Sequence, residues 1–519
     1  MNRRFALGWL VIVLAALALR IPQLDLRPMH NDEAVNAIKF RDLWEKGEYV
    51  YDPHEYHGPT LHYSTLASTR LNRSQDYDQF TEATFRFVPL VFGVGLILLL
   101  PLLADGLGRA QAICAAALTA ISPAMVFYSR YFIHEMSLVF FTGLLLAAGW
   151  RYWRTRRIGW CLLAGASLGL MHATKETFVL VAAALAGAVT CTFAWGRWVD
   201  GRQAEIKPNL NVKHLCAGLT VALIVSVMFF SSFLTNASGP LDSIRTFFTW
   251  ISRAGGNSPH NHPWYFYFER LAFFRSGNGP IWSEGLILLL AGIGLVSALK
   301  RRADARPDSI LIRVVAFYTV LLTLIYTIIS YKTPWCFLGF LHGMILLAGV
   351  GAMAAIGFWR QRWPRVLTIA ALVAAVVHLG WEAWRASYVY AADRKNPYVY
   401  AHTSPDLRNL VEKVEALARV HPQTRRMLIK VMAADRDYWP LPWYLRRFKQ
   451  VGWWDRIPDD PLAPVMIVSS RFGAAFDERP NKTHLMAGYF QLRPQVFLEL
   501  YVEINLWRAY IQSLPPKQE

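Results

Sequence analysis

Apolar residues along this chain gather in blocks instead of mixing with polar ones. Eleven blocks stand out, near Phe5–Ile21, Phe85–Ala104, Ala110–Phe127, Met136–Trp150, Ile158–Ala173, Thr177–Trp195, Leu215–Leu234, Gly285–Leu299, Ile310–Ser330, Phe337–Trp359 and Val366–Trp384. A helix needs about 20 residues to cross a bilayer core, and in lipid its backbone polar groups must be satisfied within the helix itself. The pattern therefore predicts an α-helical polytopic membrane protein with eleven spans in residues 1–386. The first block follows Met1-Asn2-Arg3-Arg4 as a signal peptide core would. Its length, the absence of a small-residue cleavage site and the spans behind it predict an uncleaved helix instead.

After Ala386 the apolar runs shorten and charge returns. Ser404-Pro405-Asp406 reads as a helix start, with a cap, a first-position proline and an acid in the first turn. Leu407, Leu410, Val411, Val414 and Leu417 then share one apolar face. Met427–Ala433 and Pro464–Ser470 read as buried strands. Residues 387–519 are thus expected to form a small soluble α/β domain. No Gly-rich phosphate loop follows either strand, which argues against nucleotide binding.

Charge fixes the expected orientation. The net charge of +18 would point to nucleic acid in a soluble protein. Here the basic residues concentrate in alternate short loops, among them Arg109, Arg151/Arg154, Arg197, Lys300 and Arg360/Arg362. The positive-inside rule makes those loops and the N-terminus cytoplasmic. An odd span count then places the C-terminal domain outside, with the long loops 22–84 and 235–284. The expected location is the cytoplasmic (inner) membrane, and nucleic acid is not an expected partner. The five cysteines lie in or beside apolar blocks and form neither a metal motif nor a disulfide framework.

Candidate chemistry lies in the outer loops. His30-Asn31-Asp32-Glu33 opens a stretch with Ala37, Phe40 and Trp44 at helical spacing. Asp32 could simply cap that helix, with Glu33 favouring its first turn. A further carboxylate, Glu135, abuts the start of a span, where an ionisable group is costly and points to function. Carboxylates gathered on one face suit a base, a divalent metal ion or both. The three shortest outer loops each hold a lone cation, Arg130, Lys175 or Lys332, against the positive-inside bias. Separately these can reach lipid headgroups; converging, they would clamp a lipid phosphate. Outer histidines (His30, His54, His57, His62, His134, His260, His262) show no metal-ligand spacing.

Taken in order, the Asp-Glu pair after the first block, the carboxylate after Arg130-Tyr131-Phe132 and the lysine ending the fifth block resemble the GT-C membrane glycosyltransferases. The similarity is to the branch containing protein O-mannosyltransferases and the lipid A aminoarabinose transferase. His57-Gly58-Pro59-Thr60-Leu61, Tyr331-Lys332-Thr333-Pro334-Trp335 and Asp437-Tyr438-Trp439-Pro440-Leu441-Pro442-Trp443-Tyr444-Leu445-Arg446 further resemble a prokaryotic flippase-activity-associated, glycosyltransferase-like subgroup. The resemblance implies sugar transfer from a polyprenyl-phosphate carrier to a glycan, lipid or protein acceptor on the outer face. It implies Asp32 as the base, helped by Glu33 or Glu135, and Arg130, Lys175 and Lys332 as ligands of the carrier phosphate. His57, Trp335, Asp437 and Trp439 are then candidate sugar or acceptor contacts. Where many relatives follow the lysine with Gly-Pro, this chain has Glu176, an expected partner for Lys175. The alternative function is a non-catalytic component that binds lipid-linked sugar and assists its flipping or export. A secondary transporter fits poorly, since no internal repeat is visible and the charges gather at the outer ends.

Overall fold

The computed structural model describes residues 3–71, 76–200, 211–256, 258–300, 308–478 and 482–515. Each apolar block is helical: Arg3–Arg20, Glu82–Leu99, Arg109–Ile121, Glu135–Thr155, Ile158–His172, Phe178–Trp195, Val212–Phe230, Gly285–Leu299, Asp308–Ile328, Leu338–Phe358 and Arg362–Trp384. Among the described residues, six helical stretches are long and apolar enough to cross a membrane. The protein is a multi-pass membrane protein. The most enclosed of these six stretches contains the helix Leu338–Phe358, against which Gly285–Leu299 lies at backbone contact. A Cβ on Gly351 would meet the Leu290 carbonyl at 1.9 Å, and one on Gly294 the Leu347 carbonyl at 2.1 Å. Small residues permit such close approach between helices in lipid.

Two blocks end earlier than their hydrophobicity predicts. Ala110–Phe127 breaks at Ser122-Pro123, because proline cannot donate to the preceding turn. Ser122 Oγ instead accepts from Met125 N at 3.3 Å and caps a new short helix, Pro123–Tyr128. Leu215–Leu234 stops at Phe230, and Ser232, Phe233 and Leu234 turn through left-handed backbone (φ 50°, 54° and 77°).

The helix Arg3–Arg20 ends with carbonyls that need donors. Arg130 supplies them, donating to the carbonyls of Arg20 (2.8 Å), Pro22 (2.6 Å) and Gln23 (2.8 Å) while stacking on Tyr388. Arg20 itself is buried and reaches Ala120 O (2.7 Å), Thr119 O (3.0 Å) and Ser129 Oγ (3.2 Å). These guanidiniums bind the first helix to the turn that carries Glu135.

Past the helices comes one five-stranded sheet: β1 (Ile429–Met432), β2 (Val451–Trp454), β3 (Val465–Ser469), β4 (His484–Arg493) and β5 (Val496–Glu503), in the order β2-β1-β3-β5-β4. β1 is parallel to β2 and β3, and β5 is antiparallel to β3 and β4. The helix Asp406–Val420 buries Leu407, Leu410, Val414 and Leu417 against this sheet, and Ser404 Oγ accepts from Asp406 N at 3.2 Å. The segment after β1 docks on the long loop 22–84. Trp443 is buried against Tyr77 and Phe85, Tyr444 Oη donates to Glu82 (2.9 Å) and accepts from Met29 N (2.8 Å), and Arg447 donates to Asp78 O. The turn at Met29–Asp32 is therefore clamped between the helices and the sheet.

Candidate active site

The helix Asn31–Lys46 is capped by His30, not by Asp32. His30 Nδ1 accepts from Asp32 N at 3.1 Å, and the Glu33 carboxylate accepts from His30 N at 3.0 Å, a reciprocal capping box. Asp32 is thereby released from capping. Its side chain is 45% exposed and stands 3.8 Å from the His30 ring.

Glu33 has the opposite environment. Its side chain is fully buried and takes both forks of Arg86 at 2.7 Å, plus the Phe132 amide at 2.9 Å. Burial alone would raise its pKa, but Arg86 and Arg27 overturn this and hold it at about 2. A carboxylate so held does not take up a proton near neutrality. Glu33 fixes the turn that presents Asp32, and the expectation of a second base is corrected.

Glu135 heads its helix and forms an ion pair with Lys175, which lies in the turn after Ile158–His172. Burial depresses the lysine's pKa and Glu135 more than reverses that, keeping the ammonium charged. The expected Lys175–Glu176 pairing is not formed: Glu176 accepts from Tyr51 Oη at 3.2 Å and lies 2.7 Å from His57 Nδ1. Glu135 and Lys175 line a small cavity whose other walls include Val139, Tyr326, Trp335 and Cys336.

Trp335 connects this cavity to the Asp32 turn. Its ring meets that of His30 edge-on at 5.9 Å and that of Tyr131 at 5.8 Å. Tyr331, four residues earlier, has its hydroxyl pKa pushed up to about 12 by burial and by the charge of Asp32, while Lys175 pulls it down. One phenol thus senses both Asp32 and Lys175. The charge of Asp32 also reaches His260, whose Nδ1 lies 2.8 Å from Tyr400 Oη, with His262 Nε2 at 3.1 Å from the same hydroxyl.

The remaining candidates separate. Lys332 belongs to this neighbourhood: Tyr331 bridges to Asn261, and the buried Lys332 ammonium donates to His262 O at 3.2 Å and to Ile329 O. Arg130 does not, because its guanidinium is committed to the end of the first helix as described. His57 is engaged by Glu176 and stacks on Trp250 with ring centres 5.0 Å apart. Asp437 is taken up by Arg471 and Arg493 within the C-terminal unit, and Arg493 also reaches the Trp439 carbonyl. Neither Asp437 nor Trp439 joins the groups around Asp32. Among the described residues, no three His, Cys, Asp or Glu side chains are arranged to hold a metal ion.

Tyr400 and Arg86 escaped the sequence reading. Arg86 is a lone cation near the start of the helix Glu82–Leu99, a signal like that of Arg130, but it lies inside an apolar block. Nothing local marks Tyr400, which reaches the site only through the fold.

The arrangement of helices is shared with known proteins. The ArnT structure from Cupriavidus metallidurans bound to undecaprenyl phosphate superposes with a TM-score of 0.62 at 15% identity, over 99% of this chain and all of that one. Its apo form gives 0.63 over 95% of this chain and 98% of that one. The fold is the GT-C fold. The Archaeoglobus fulgidus oligosaccharyltransferase tethered to an acceptor peptide superposes with a TM-score of 0.56 at 11% identity, over 88% of this chain and 64% of that one. Residues 63–237 match the family described as dolichyl-phosphate-mannose-protein mannosyltransferase. No curated protein sequence matches the chain. The segment that matches this family carries Glu135 and Lys175, while Asp32 and Lys332 lie outside it.

Proposed function

We propose that this chain is a membrane glycosyltransferase that moves a sugar from a polyprenyl-phosphate-linked donor to an acceptor on the outer face of the inner membrane. The observation that carries the reading is Asp32. Its carboxylate is half exposed, relieved of capping by His30 and Glu33, and set beside the cavity wall formed by Trp335. Asp32 takes the proton from the acceptor's hydroxyl or amine as that atom attacks the anomeric carbon. The bond from that carbon to the phosphate oxygen breaks, its electron pair leaves with polyprenyl phosphate, and the anomeric centre inverts. The leaving group needs charge compensation more than a proton. Lys332 and Lys175 supply it, Lys175 once the phosphate competes with Glu135. Trp335 offers an apolar face to the sugar. The ArnT relative solved with undecaprenyl phosphate supports a lipid-phosphate donor, and the match to a mannosyltransferase family supports sugar transfer.

The closed Lys175–Glu135 pair favours a second reading, a non-catalytic component that binds lipid-linked sugar and assists its flipping. One assay separates the two. Purified protein in liposomes is given a polyprenyl-phosphate donor carrying labelled sugar, together with envelope glycolipids and protein as acceptors. Label moving to an acceptor supports the transferase. Label crossing the bilayer while staying on its carrier supports the second reading.

A further inference from the structure

The helix Gly239–Gly255 presents two unlike faces. Ser243, Thr246, Phe247 and Trp250 point into the protein: Ser243 and Thr246 are buried, Thr246 donates to Pro53 O, and Phe247 lies against Phe178 and His172. Trp250 stacks on His57. On the other side Leu241, Ile244, Phe248 and Ile251 form a stripe at helical spacing, exposed by 51%, 57%, 75% and 70%. Four large apolar side chains in register are not the solvent face of an ordinary helix.

Chain connectivity fixes the level of this helix. It begins nine positions after the end of the span Val212–Phe230, and Gly239 is packed so tightly on that end that a Cβ would meet the Phe230 carbonyl at 1.9 Å. The intervening turn exposes Phe233 and Leu234, and the span itself exposes Leu219, Leu223 and Ile224. The apolar stripe therefore follows closely on a span and a turn whose own apolar side chains are exposed. We infer that Gly239–Gly255 lies in the bilayer interface with its Leu241–Ile251 stripe in the acyl boundary, and that this attachment holds Trp250 as a cover over the His57–Glu176 pair. An amphipathic helix in the membrane plane buries such a stripe at the headgroup–acyl boundary. The inner face is then pressed onto the loop that carries His57. Glu176 adjoins in sequence Lys175, which lines the candidate cavity. The inference stands independently of sugar transfer.

The full-length protein in phosphatidylethanolamine/phosphatidylglycerol liposomes tests it with two photoactivated probes, a diazirine carried on a lipid chain and a water-soluble diazirine. The lipid probe is expected to label peptide 239–255 as heavily as the peptide of the span 212–230. Labelling of 239–255 by the aqueous probe alone overturns the placement. The cover is tested by the rate at which diethylpyrocarbonate modifies His57, read by mass spectrometry. Phe248→Ser combined with Ile251→Ser is expected to remove lipid labelling and speed His57 modification severalfold, while Phe248→Leu leaves both unchanged. A His57 rate that stays constant after lipid labelling is lost overturns the cover.

Discussion

Lys175 and Glu135, forty positions apart, meet as an ion pair on the wall of a cavity whose other lining is mostly apolar, and each side chain is less than a tenth exposed. Removing one member of a buried pair strands the other charge, typically at about 3–5 kcal/mol, whereas replacing both by apolar groups costs far less. Glu135→Leu is expected to lower the melting temperature in detergent more than Glu135→Leu combined with Lys175→Met. Equal losses would mean that the pair is already solvated.

Glu33 makes acid stability testable. Its folded pKa, about 2, lies below the unfolded value of about 4.3, so its contribution is fully present above the unfolded value and is lost as pH falls from there through the folded one. The shift corresponds to about 3 kcal/mol. Melting temperature followed from pH 6 downward is expected to fall for the wild type across that window. In Glu33→Gln the protein should start less stable and show a flatter decline. Identical pH profiles would contradict the buried Arg86 fork.

The cations have distinct tasks. Lys332 keeps a net charge among neutral carbonyls, Lys175 is compensated by Glu135, and Arg130 is spent on the first helix. Binding of undecaprenyl phosphate is expected to weaken more in Lys332→Ala than in Lys175→Ala. Arg130→Ala should lower the melting temperature while the folded fraction binds the lipid normally. A binding loss in Arg130→Ala equal to that of Lys332→Ala would restore it to the phosphate clamp.

Sidedness follows from the basic loops. A reporter active only in the cytoplasm, fused after Glu519, is expected to stay silent, while the same reporter inserted after Lys300 should be active. Activity at both positions would mean an even number of crossings.

Much of this fold was legible because a bilayer imposes one rule on every span: apolar length. The start of the helix Asp406–Val420 and the two buried strands β1 and β3 were likewise legible, from a capping sequence and from short apolar runs. Block ends were misplaced where backbone chemistry overrode hydrophobicity, as at Ser122-Pro123 and at the left-handed turn Ser232–Leu234. At the site, the pairings were not legible in the sequence. Asp32 and Glu33 are adjacent and read alike, yet an arginine 53 positions away forks onto the buried Glu33 while Asp32 is left exposed. Arg130 read as a lone outer cation because the orphan carbonyls it serves become visible only when the first helix ends beside it. Such partners are set by tertiary packing, beyond the reach of local spacing.

The central claim is that Asp32 is the base, and Asp32→Asn tests it most directly. The two side chains are nearly isosteric, and the capping box uses His30 and Glu33, so folding should be untouched. The measurement is the initial rate of labelled-sugar transfer from a polyprenyl-phosphate donor in proteoliposomes, with melting temperature and donor binding as controls. The account predicts a rate lower by about 10²–10⁴-fold, the usual contribution of a general base, with both controls unchanged. A stable Asp32→Asn protein that transfers sugar at the wild-type rate would contradict it.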